Sequence, residues 1–437
     1  MERWPGKVRA KKARVENGRQ KAGGRVSVAD HPARIRRDEI STGWLVLLTS
    51  LVGIGAGATS LLFYSVGVFF EPLQREFGWN RGQIAGAMIY LTIGLIISGP
   101  VVGWLIDRFG ARIVALVSIP LLGLILGGFA NLGNSLPALS ALFFAAGSLG
   151  AGTTPIVYTR IVNGNFSASR GLALGIVLAG TGIAALVLPP ALAAVIGPRG
   201  WRSGFMLLAI IAVAVWPIVL FGFRGIEGAT PRQDKVLDGA GRVDAITSLT
   251  FWTISVGFVA VATAVSGMVV HMVPLLRDAG LALPQAAGIA SVIGIGVILG
   301  RVLIGWAVDR IFAPYIACLV FLATACGGVL LNLGGAQAAP VAAFLVGFAL
   351  GAEIDLIAYL TARYFGLRNY GFIYGLAYSL FSVGAAAGPV IMGKMFDSNG
   401  NYRAALWTMT ACLLFGAAAT ITLPQFPESS GRRAADS

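Results

Sequence analysis

The stretch EPLQREFGWNRGQIAGA at residues 71–87 returns as VPLLRDAGLALPQAAGI at residues 273–289. At the same spacing, GWLIDR at residues 103–108 returns as GWAVDR at residues 305–310. The matching positions include prolines and glycines, which constrain the backbone, and arginines and glutamines, which do not pack like apolar residues. The second half of the chain therefore repeats the first half in the same direction, which predicts two structurally similar halves.

The composition around this repeat is that of a membrane protein. The chain has 437 residues, of which 56% are hydrophobic and 12% are charged, whereas soluble domains carry about 25% charged residues. Apolar stretches long enough to cross a bilayer as helices occur at 43–70, 81–106, 112–131, 136–161, 169–196, 202–223, 246–275, 284–308, 313–332, 338–363, 370–395 and 402–423. We therefore predict an all-α membrane protein with twelve transmembrane helices in two pseudo-symmetric six-helix bundles.

Polar segments delimit the two predicted bundles. Residues 1–42 form a basic tail, predicted to be disordered, and residues 224–245 form a polar linker between bundles at 43–223 and 246–424, with a second tail at 425–437. Most of the 33 lysines and arginines fall in the tails and in loops on the same side of the membrane, and such residues mark the cytoplasmic side. Both termini are therefore expected in the cytoplasm, with the protein in the inner (plasma) membrane.

Two carboxylates lie in the apolar run PVAAFLVGFALGAEIDLIAYLTARYF, residues 340–365. Glu353 falls near its middle, where a charge is rare and usually faces a partner or a water-filled path. Asp355, Tyr359 and Arg363 recur every four residues and share one helix face, while Glu353 points elsewhere. The structural alternative for these carboxylates is a buried ion pair that only fixes helix packing.

The repeated motif carries a resemblance to a known family. GWLIDRFGAR at residues 103–112 resembles the signature G-x-x-x-D-R-x-G-x-R of the major facilitator superfamily, and the resemblance extends from residue 43 to residue 423. It implies the major facilitator fold, with binding near the membrane midplane between the bundles. It also implies a cytoplasmic gate, in which the aspartate holds the N-terminus of a helix in the other bundle. The implied gating residues are Asp107, Arg108, Arg112, Asp309 and Arg310.

A narrower resemblance concerns the substrate. NFSASRGLALGIVLAG at residues 165–180 is similar to the pattern of monocarboxylate transporters. HMVPLLRDAG at residues 271–280 and GAEIDLIAYLTARYFG at residues 351–366 resemble the bacterial monocarboxylate and oxalate/formate branch. In that branch an arginine of the eighth span binds the substrate carboxylate, and Arg301 matches it.

Departures from the family pattern shift the expected proton site. Val297 stands where eukaryotic monocarboxylate carriers have an acidic residue, and Tyr64 lies near the position of their first-span lysine. If the carrier is proton-coupled, the coupling residue is therefore expected at Asp355 or Glu353. We favour Asp355 as the titrating group and give Glu353 a packing or accessory role.

Further candidates come from the repeat and from the spans themselves. The repeat gives Arg160 the position of Tyr359, so Arg160 is expected to face the substrate or Asp355; the alternative is that it anchors a cytoplasmic helix end. His271 lies towards the outer end of the seventh span, where it either helps coupling or packs as a hydrogen-bonded core residue. The predicted substrate-binding residues are Arg301, Arg160, Tyr64, Tyr359, Tyr378 and His271.

The pattern indicates a transporter rather than an enzyme. No phosphate-binding loop, nucleophile triad or metal-ligand spacing occurs in the sequence, so neither an enzyme nor an ATP-driven pump is indicated and no cofactor is expected. We predict a monomeric secondary active transporter that moves a small organic anion, a monocarboxylate, with protons by alternating access. Its partners are then the anion, protons and the lipid bilayer, with no nucleic acid. An efflux transporter for lipophilic compounds and a non-transporting membrane receptor are the alternatives.

Overall fold

The computed structural model describes residues 32–166, 169–224, 239–308, 310–366 and 368–427, with side chains from residue 39 onwards apart from residue 170. Most of the basic tail, most of the linker, Asp309 and the last ten residues lie outside this part of the chain. The helices of the described residues are α1 (Pro32–Gly55), α2 (Ala58–Phe63), α3 (Val66–Phe77), α4 (Arg81–Phe109), α5 (Ala111–Ala130), α6 (Leu136–Leu149), α7 (Pro155–Asn165), α8 (Arg170–Arg199), α9 (Trp201–Gly222), α10 (Arg242–Thr247), α11 (Leu249–Asp278), α12 (Leu283–Val308), α13 (Ala313–Gly334), α14 (Ala339–Phe365), α15 (Tyr370–Asn399) and α16 (Arg403–Ile421).

These helices confirm the predicted all-α membrane fold. By length and composition, 11 helical segments are apolar enough to cross a membrane, one of which joins α6 and α7 through a short 3₁₀ turn. The remaining span, the first, runs through α1 and α2 into the first turn of α3, and the rest of α3 lies beyond the apolar stretch that ends at residue 70. Its counterpart in the second half, α11, is continuous over 30 residues.

The first span is interrupted twice, between α1 and α2 and between α2 and α3. At the first break a side-chain carbon on Gly57 would lie 2.2 Å from the carbonyl oxygen of Thr153, so only glycine fits there. The Thr153 hydroxyl accepts a hydrogen bond from the Ala58 amide at 3.0 Å and so caps α2. The second break leaves Tyr64 at the end of α2. Interrupted spans of this kind mark binding sites in secondary transporters.

Two matched helix starts show the repeat in the structure. Before α4, Gln83 accepts a hydrogen bond from the Asn80 amide at 2.9 Å, and Asn80 accepts one from the Gln83 amide at 2.8 Å. Before α12, Gln285 accepts from the Ala282 amide at 3.1 Å, and alanine offers no reciprocal bond. The glycine three residues before the first residue of each helix has a positive φ, 71° at Gly78 and 90° at Gly280.

The two bundles touch at one end and separate at the other. We call the end where α1 begins and α16 finishes the inner end, and the opposite end the outer end. A side-chain carbon on Gly393 of α15 would lie 3.0 Å from the backbone of Gly82 in α4, at the outer end. Towards the inner ends of α8 and α15, such a carbon would meet no described atom within 4 Å at Gly171, Gly175, Gly371 or Gly375. A cavity between the bundles is therefore open at the inner end.

The segment after α16 covers the inner end of the second bundle. We call Thr422–Pro427 the C-terminal strap. The Phe426 ring packs against Phe312 and Tyr364, with centroids 4.9 Å away in both cases. The Arg363 guanidinium lies over the same ring at 4.7 Å. Aromatic packing and a cation–π contact thus hold the strap on α13 and α14.

In the first bundle a different contact connects the last helix to its neighbours at the inner end. The Arg112 guanidinium donates a hydrogen bond to the carbonyl oxygen of Leu220, near the end of α9, at 2.8 Å. In the second repeat, Pro314 stands at the position of Arg112, so this bond has no counterpart there. In the second bundle it is the C-terminal strap that connects the last helix, α16, to α13 and α14.

Candidate functional site

Arg301 and Asp355 meet in the middle of the second bundle. Their helices, α12 and α14, approach closely at Gly300 and Gly351. A side-chain carbon on either glycine would lie only 2.4 Å from a carbonyl oxygen of the other helix, so glycine is what permits this approach. The Arg301 guanidinium lies 3.5 Å from the Asp355 carboxylate, with 8% and 38% of the two side chains exposed. Packing through small residues thus brings a buried cation next to an accessible anion.

A second carboxylate completes this group. Glu353 is 2% exposed, and its Oε2 atom has no hydrogen-bond partner in the described part of the chain. The Arg301 Nε atom is likewise buried without a partner among the described residues. Buried polar atoms almost always have partners, so these two atoms single out this group as the candidate site.

Tyr64 approaches the same group from the first bundle. Its hydroxyl lies near Thr181 of α8 and within electrostatic range of Arg301 and Glu353. Tyr64 lies directly after α2, at the break before α3. The site therefore lies between the two bundles, as the repeat predicts.

A row of tyrosines on α15 leads from this group to the inner end. The Tyr370 and Tyr374 rings stack with their centroids 5.4 Å apart, and the Tyr374 and Tyr378 rings follow at 5.9 Å. Tyr374 interacts electrostatically with Asp355, and Tyr378 interacts with Glu353. Tyr378 is 40% exposed because it faces the open cavity. Spacing at every fourth residue is the sequence signal for this row.

Three predicted binding residues lie elsewhere. Arg160 forms an ion pair with Asp107 at 3.1 Å, at the inner end of the first bundle. The Tyr359 hydroxyl donates to the carbonyl oxygen of Val308 at 3.0 Å, one turn further towards the inner end than Asp355. His271 is fully buried at the outer end. The site group thus unites Arg301, Asp355, Glu353, Tyr64 and Tyr378.

The predicted gate residues make contacts within their own bundles. Asp107 pairs with Arg160, whereas the start of α15 in the other bundle has no side-chain cap. Arg108 lies 5.6 Å from the centroid of Trp104, and its repeat mate Arg310 lies 4.3 Å from that of Trp306. In the part of the chain that the structure describes, which leaves out Asp309, Asp107 therefore makes no contact with the other bundle.

The outer end carries a polar cluster that the sequence did not predict. The buried Arg81 guanidinium, on α4, donates to both oxygens of Asp278, on α11, at 2.5 and 2.7 Å. It also donates to the Tyr402 hydroxyl at 2.7 Å. Asp397 of α15 accepts from the backbone amides at the start of α4, at 3.1 and 2.7 Å. We call these residues, with His271, the outer cluster; it ties the first bundle to the second.

A neighbouring carboxylate, Glu71, lies just beyond the first predicted span and binds two arginines related by the repeat. Arg75, on its own helix, contacts it at 2.5 Å, and Arg277 of the other bundle contacts it at 2.6 Å. The hydrogen bond from Arg277 lowers the pKa of Glu71 below its ordinary value of 4.5. The match between Arg75 and Arg277 in the repeat is the one sequence signal that pointed here.

Comparison with protein families agrees with this architecture. The profile of the Major Facilitator Superfamily matches residues 52–389. Two solved structures share the fold: a bacterial homolog of the human lysosomal transporter Spinster, inward-facing and occupied, has a TM-score of 0.64 at 18% identity, covering 89% of this chain and 96% of that one. The nucleoside transporter NupG has a TM-score of 0.70 at 11% identity, and the match covers 87% of this chain and 99% of that one.

Curated relatives are similar over most of their length. Monocarboxylate transporter 13 of Bos taurus is 27% identical, with 88% of this chain and 90% of that protein covered. Monocarboxylate transporter 11 of Homo sapiens is 26% identical, with 89% and 84% covered. These likenesses extend over both bundles and agree with the narrower resemblance noted in the sequence.

Proposed function

The chain belongs to the Major Facilitator Superfamily, and from that premise we propose that this transporter carries a small monocarboxylate together with a proton. The observation that carries the proposal is Arg301, a buried cation with an unpartnered Nε atom and a single 3.5 Å contact to Asp355. A guanidinium binds a carboxylate through two parallel hydrogen bonds. A substrate carboxylate can therefore take the place that Asp355 only partly fills.

Charge balance in the site favours one proton for each monoanion. Glu353 has no cation at hydrogen-bonding distance in the described structure, and an unpaired buried charge is costly, so we assign it the neutral form. Arg301 and Asp355 then cancel in the empty site. A bound monoanion would leave an excess negative charge unless a proton enters with it. We therefore propose electroneutral symport with one proton per substrate.

Asp355 is the proposed proton acceptor. In the empty site it faces Arg301, which stabilises its charged form. When the substrate carboxylate binds Arg301, Asp355 loses this partner and takes up the proton instead. We expect Asp355→Asn to abolish accumulation driven by a proton gradient while exchange of substrate across the membrane continues. In contrast, Glu353→Gln should first lower expression or thermal stability. If Asp355→Asn still accumulates substrate with the full pH dependence of the wild type, Glu353 is the proton acceptor instead.

The open inner cavity supports alternating access, with this structure as the state open to the inner side. We propose that the inner side is the cytoplasm, that the protein is a monomer in the plasma membrane, and that the bundles extend over residues 43–223 and 246–424. The tyrosine row on α15 supports one other candidate, export of lipophilic compounds, because stacked rings offer an apolar path. Increased drug susceptibility on deletion, without any loss of organic-acid uptake, would favour that candidate.

The central test replaces Arg301. In proteoliposomes with an imposed proton gradient, a panel of radiolabelled monocarboxylates identifies the best substrate. Arg301→Lys keeps the charge but loses the planar fork, so uptake at low substrate concentration should fall roughly tenfold or more. Arg160→Lys is the matched control and should transport at nearly the wild-type rate. Unchanged uptake in both Arg301→Lys and Arg301→Ala would exclude Arg301 from the binding site.

A further inference from the structure

His271 belongs to a chain of hydrogen bonds that crosses the outer end. Arg81 donates to the Tyr402 hydroxyl at 2.7 Å, and this hydroxyl lies 2.7 Å from the Nδ1 atom of His271. The Nε2 atom of the same ring lies 2.8 Å from the carbonyl oxygen of Pro389. The chain thus runs from α4 of the first bundle to the proline of α15 in the second. His271 itself is fully buried.

The direction of every bond in this chain is fixed by chemistry. A carbonyl oxygen only accepts, so the Nε2 atom of His271 must carry a proton. A guanidinium only donates, so the Tyr402 oxygen accepts from Arg81 and has its own proton left to donate. The acceptor for that proton is Nδ1, which is therefore unprotonated. The closed outer end holds His271 as the neutral Nε2–H tautomer.

The surroundings of His271 are incompatible with a second proton in this state. An Nδ1–H group would point at the Tyr402 hydroxyl, whose own proton would then lose its acceptor. The edge-on Phe70 ring, with its centroid 5.1 Å away, offers no acceptor of comparable strength. The charged groups that face this region are Arg81 from α4, Asp278 from α11 and Asp397 from α15, and both acids are already bound by α4.

Opening of the outer end removes these constraints. The first bundle carries Arg81 away from Tyr402, since the two lie on different bundles, and water enters from the outer side. Tyr402 then has no cation to accept from, and its hydroxyl can turn to accept from Nδ1. An imidazole in water has a pKa of about 6.5, within the range of pH that a membrane surface meets.

We propose that His271 is a second proton-binding site, which is empty while the outer end is closed and is filled from the outer side when that end opens. Acid on the outer side then favours the outward-open state by mass action, because the proton binds only one of the two states. This inference rests on the proposed alternating access, but not on the identity of the substrate. In the first bundle Phe69 occupies the matching position, so only the second bundle has this device.

The tautomer is directly measurable. The chain has only 2 histidines, and His31→Gln leaves His271 as the single imidazole in protein labelled with ¹⁵N-histidine. At pH 7.5 the nitrogen chemical shifts should be those of a neutral ring protonated at Nε2. In Tyr402→Phe, which removes the donor to Nδ1, the ring should titrate at higher pH. An Nδ1–H tautomer, or a charged ring at pH 7.5 in the otherwise unmodified chain, would overturn the proposal.

The coupling to outer pH is tested by a distance across the outer end. Spin labels on G133C and Q337C, in a background without the native cysteines, report on loops of the first and second bundle in vesicles without substrate. From pH 8 to pH 5 the population with the long distance should rise at least threefold. His271→Gln and His271→Phe should abolish the rise, whereas Arg75→Gln, at a side chain that is 76% exposed, should keep it.

The outcomes separate this proposal from the proposed function. The proposal would be overturned if the long-distance population still rises at low pH in both His271 variants, or if it does not rise in the protein that keeps His271. Either result would count even if monocarboxylate transport is found. A rise that depends on His271 supports it even if the panel of monocarboxylates contains no substrate. Neither readout requires a transport assay.

Discussion

The outer and inner ends of this transporter use charge in opposite ways. At the outer end, Arg81 of the first bundle binds Asp278 of the second, and Asp397 of the second binds the start of α4. At the inner end, Asp107 binds Arg160 within the first bundle. The same kind of residue therefore joins the bundles on one side and leaves them free on the other. In the described structure the bundles are therefore joined at the outer end and apart at the inner end.

The largest expected effect comes from breaking the outer ion pair. Arg81→Gln removes charge-assisted hydrogen bonds to Asp278 and Tyr402, which together stabilise the closed outer end by roughly 2–3 kcal/mol. The population of the outward-open state, measured by the spin-label distance, should rise roughly thirtyfold or more. Arg75→Gln is the matched control, because 76% of that side chain is exposed, and it should change the population little. Equal effects of the two variants would contradict the assigned role of the outer cluster.

A smaller effect is expected from the carboxylate that caps α4. Asp397→Asn keeps an oxygen that accepts one hydrogen bond but loses the charge that interacts with the helix N-terminus, worth about 0.5–1 kcal/mol. The outward-open population should rise about threefold, by the same measurement. Asp397→Ala, which removes both hydrogen bonds, should raise the outward-open population more than Asp397→Asn does. An effect of Asp397→Asn as large as that of Arg81→Gln would place the main closing contact at the helix end instead.

At the inner end the expected effect has the opposite sign and is smaller still. The resemblance predicts that Asp107 holds a helix of the other bundle when the inner end closes. Asp107→Asn should therefore disfavour the inner-closed state and leave the present state unchanged or about twofold more populated. Cysteine accessibility at the cavity mouth measures this. A shift of Asp107→Asn towards the outward-open state would contradict this role of Asp107 in the gate.

The smallest effect sharpens the comparison through pH. Because the pKa of Glu71 lies below its ordinary value of 4.5, its contribution to the closed outer end is complete above that pH. The contribution is lost as the pH falls below 4.5 and Glu71 takes up a proton. The outward-open population should rise by less than about twofold in this range, and Glu71→Gln should abolish that rise. An unchanged rise in Glu71→Gln would assign it to another carboxylate.

The fold was predictable because hydropathy and repetition are properties of sequence alone. The lengths of the apolar stretches placed most spans to within a few residues, and the repeat paired the starts of α4 and α12. The first helix is the exception, because it begins at Pro32, inside the tail that was predicted to be disordered. The breaks in the first span were not predicted. They depend on contacts of Gly57 with the distant Thr153, and an apolar stretch with glycines reads as continuous.

The site was only partly predictable. The place of Arg301 in the eighth span and the resemblance pointed to it, and Asp355 was expected as the titrating group. The outer cluster escaped prediction because Arg81 and Asp278 are 197 residues apart and each reads as an ordinary polar loop residue. The repeat gave no help, since Leu283 occupies the position that matches Arg81.

The C-terminal strap sets an order in time for the making of this protein. The first bundle secures its last helix with Arg112, a residue synthesised long before that helix. The second bundle depends on Phe426, which leaves the ribosome only after every span has been translated. Since domains generally fold in the order of synthesis, the first bundle is finished while the chain is still growing. The second is completed only when the residues that follow its last helix have been synthesised.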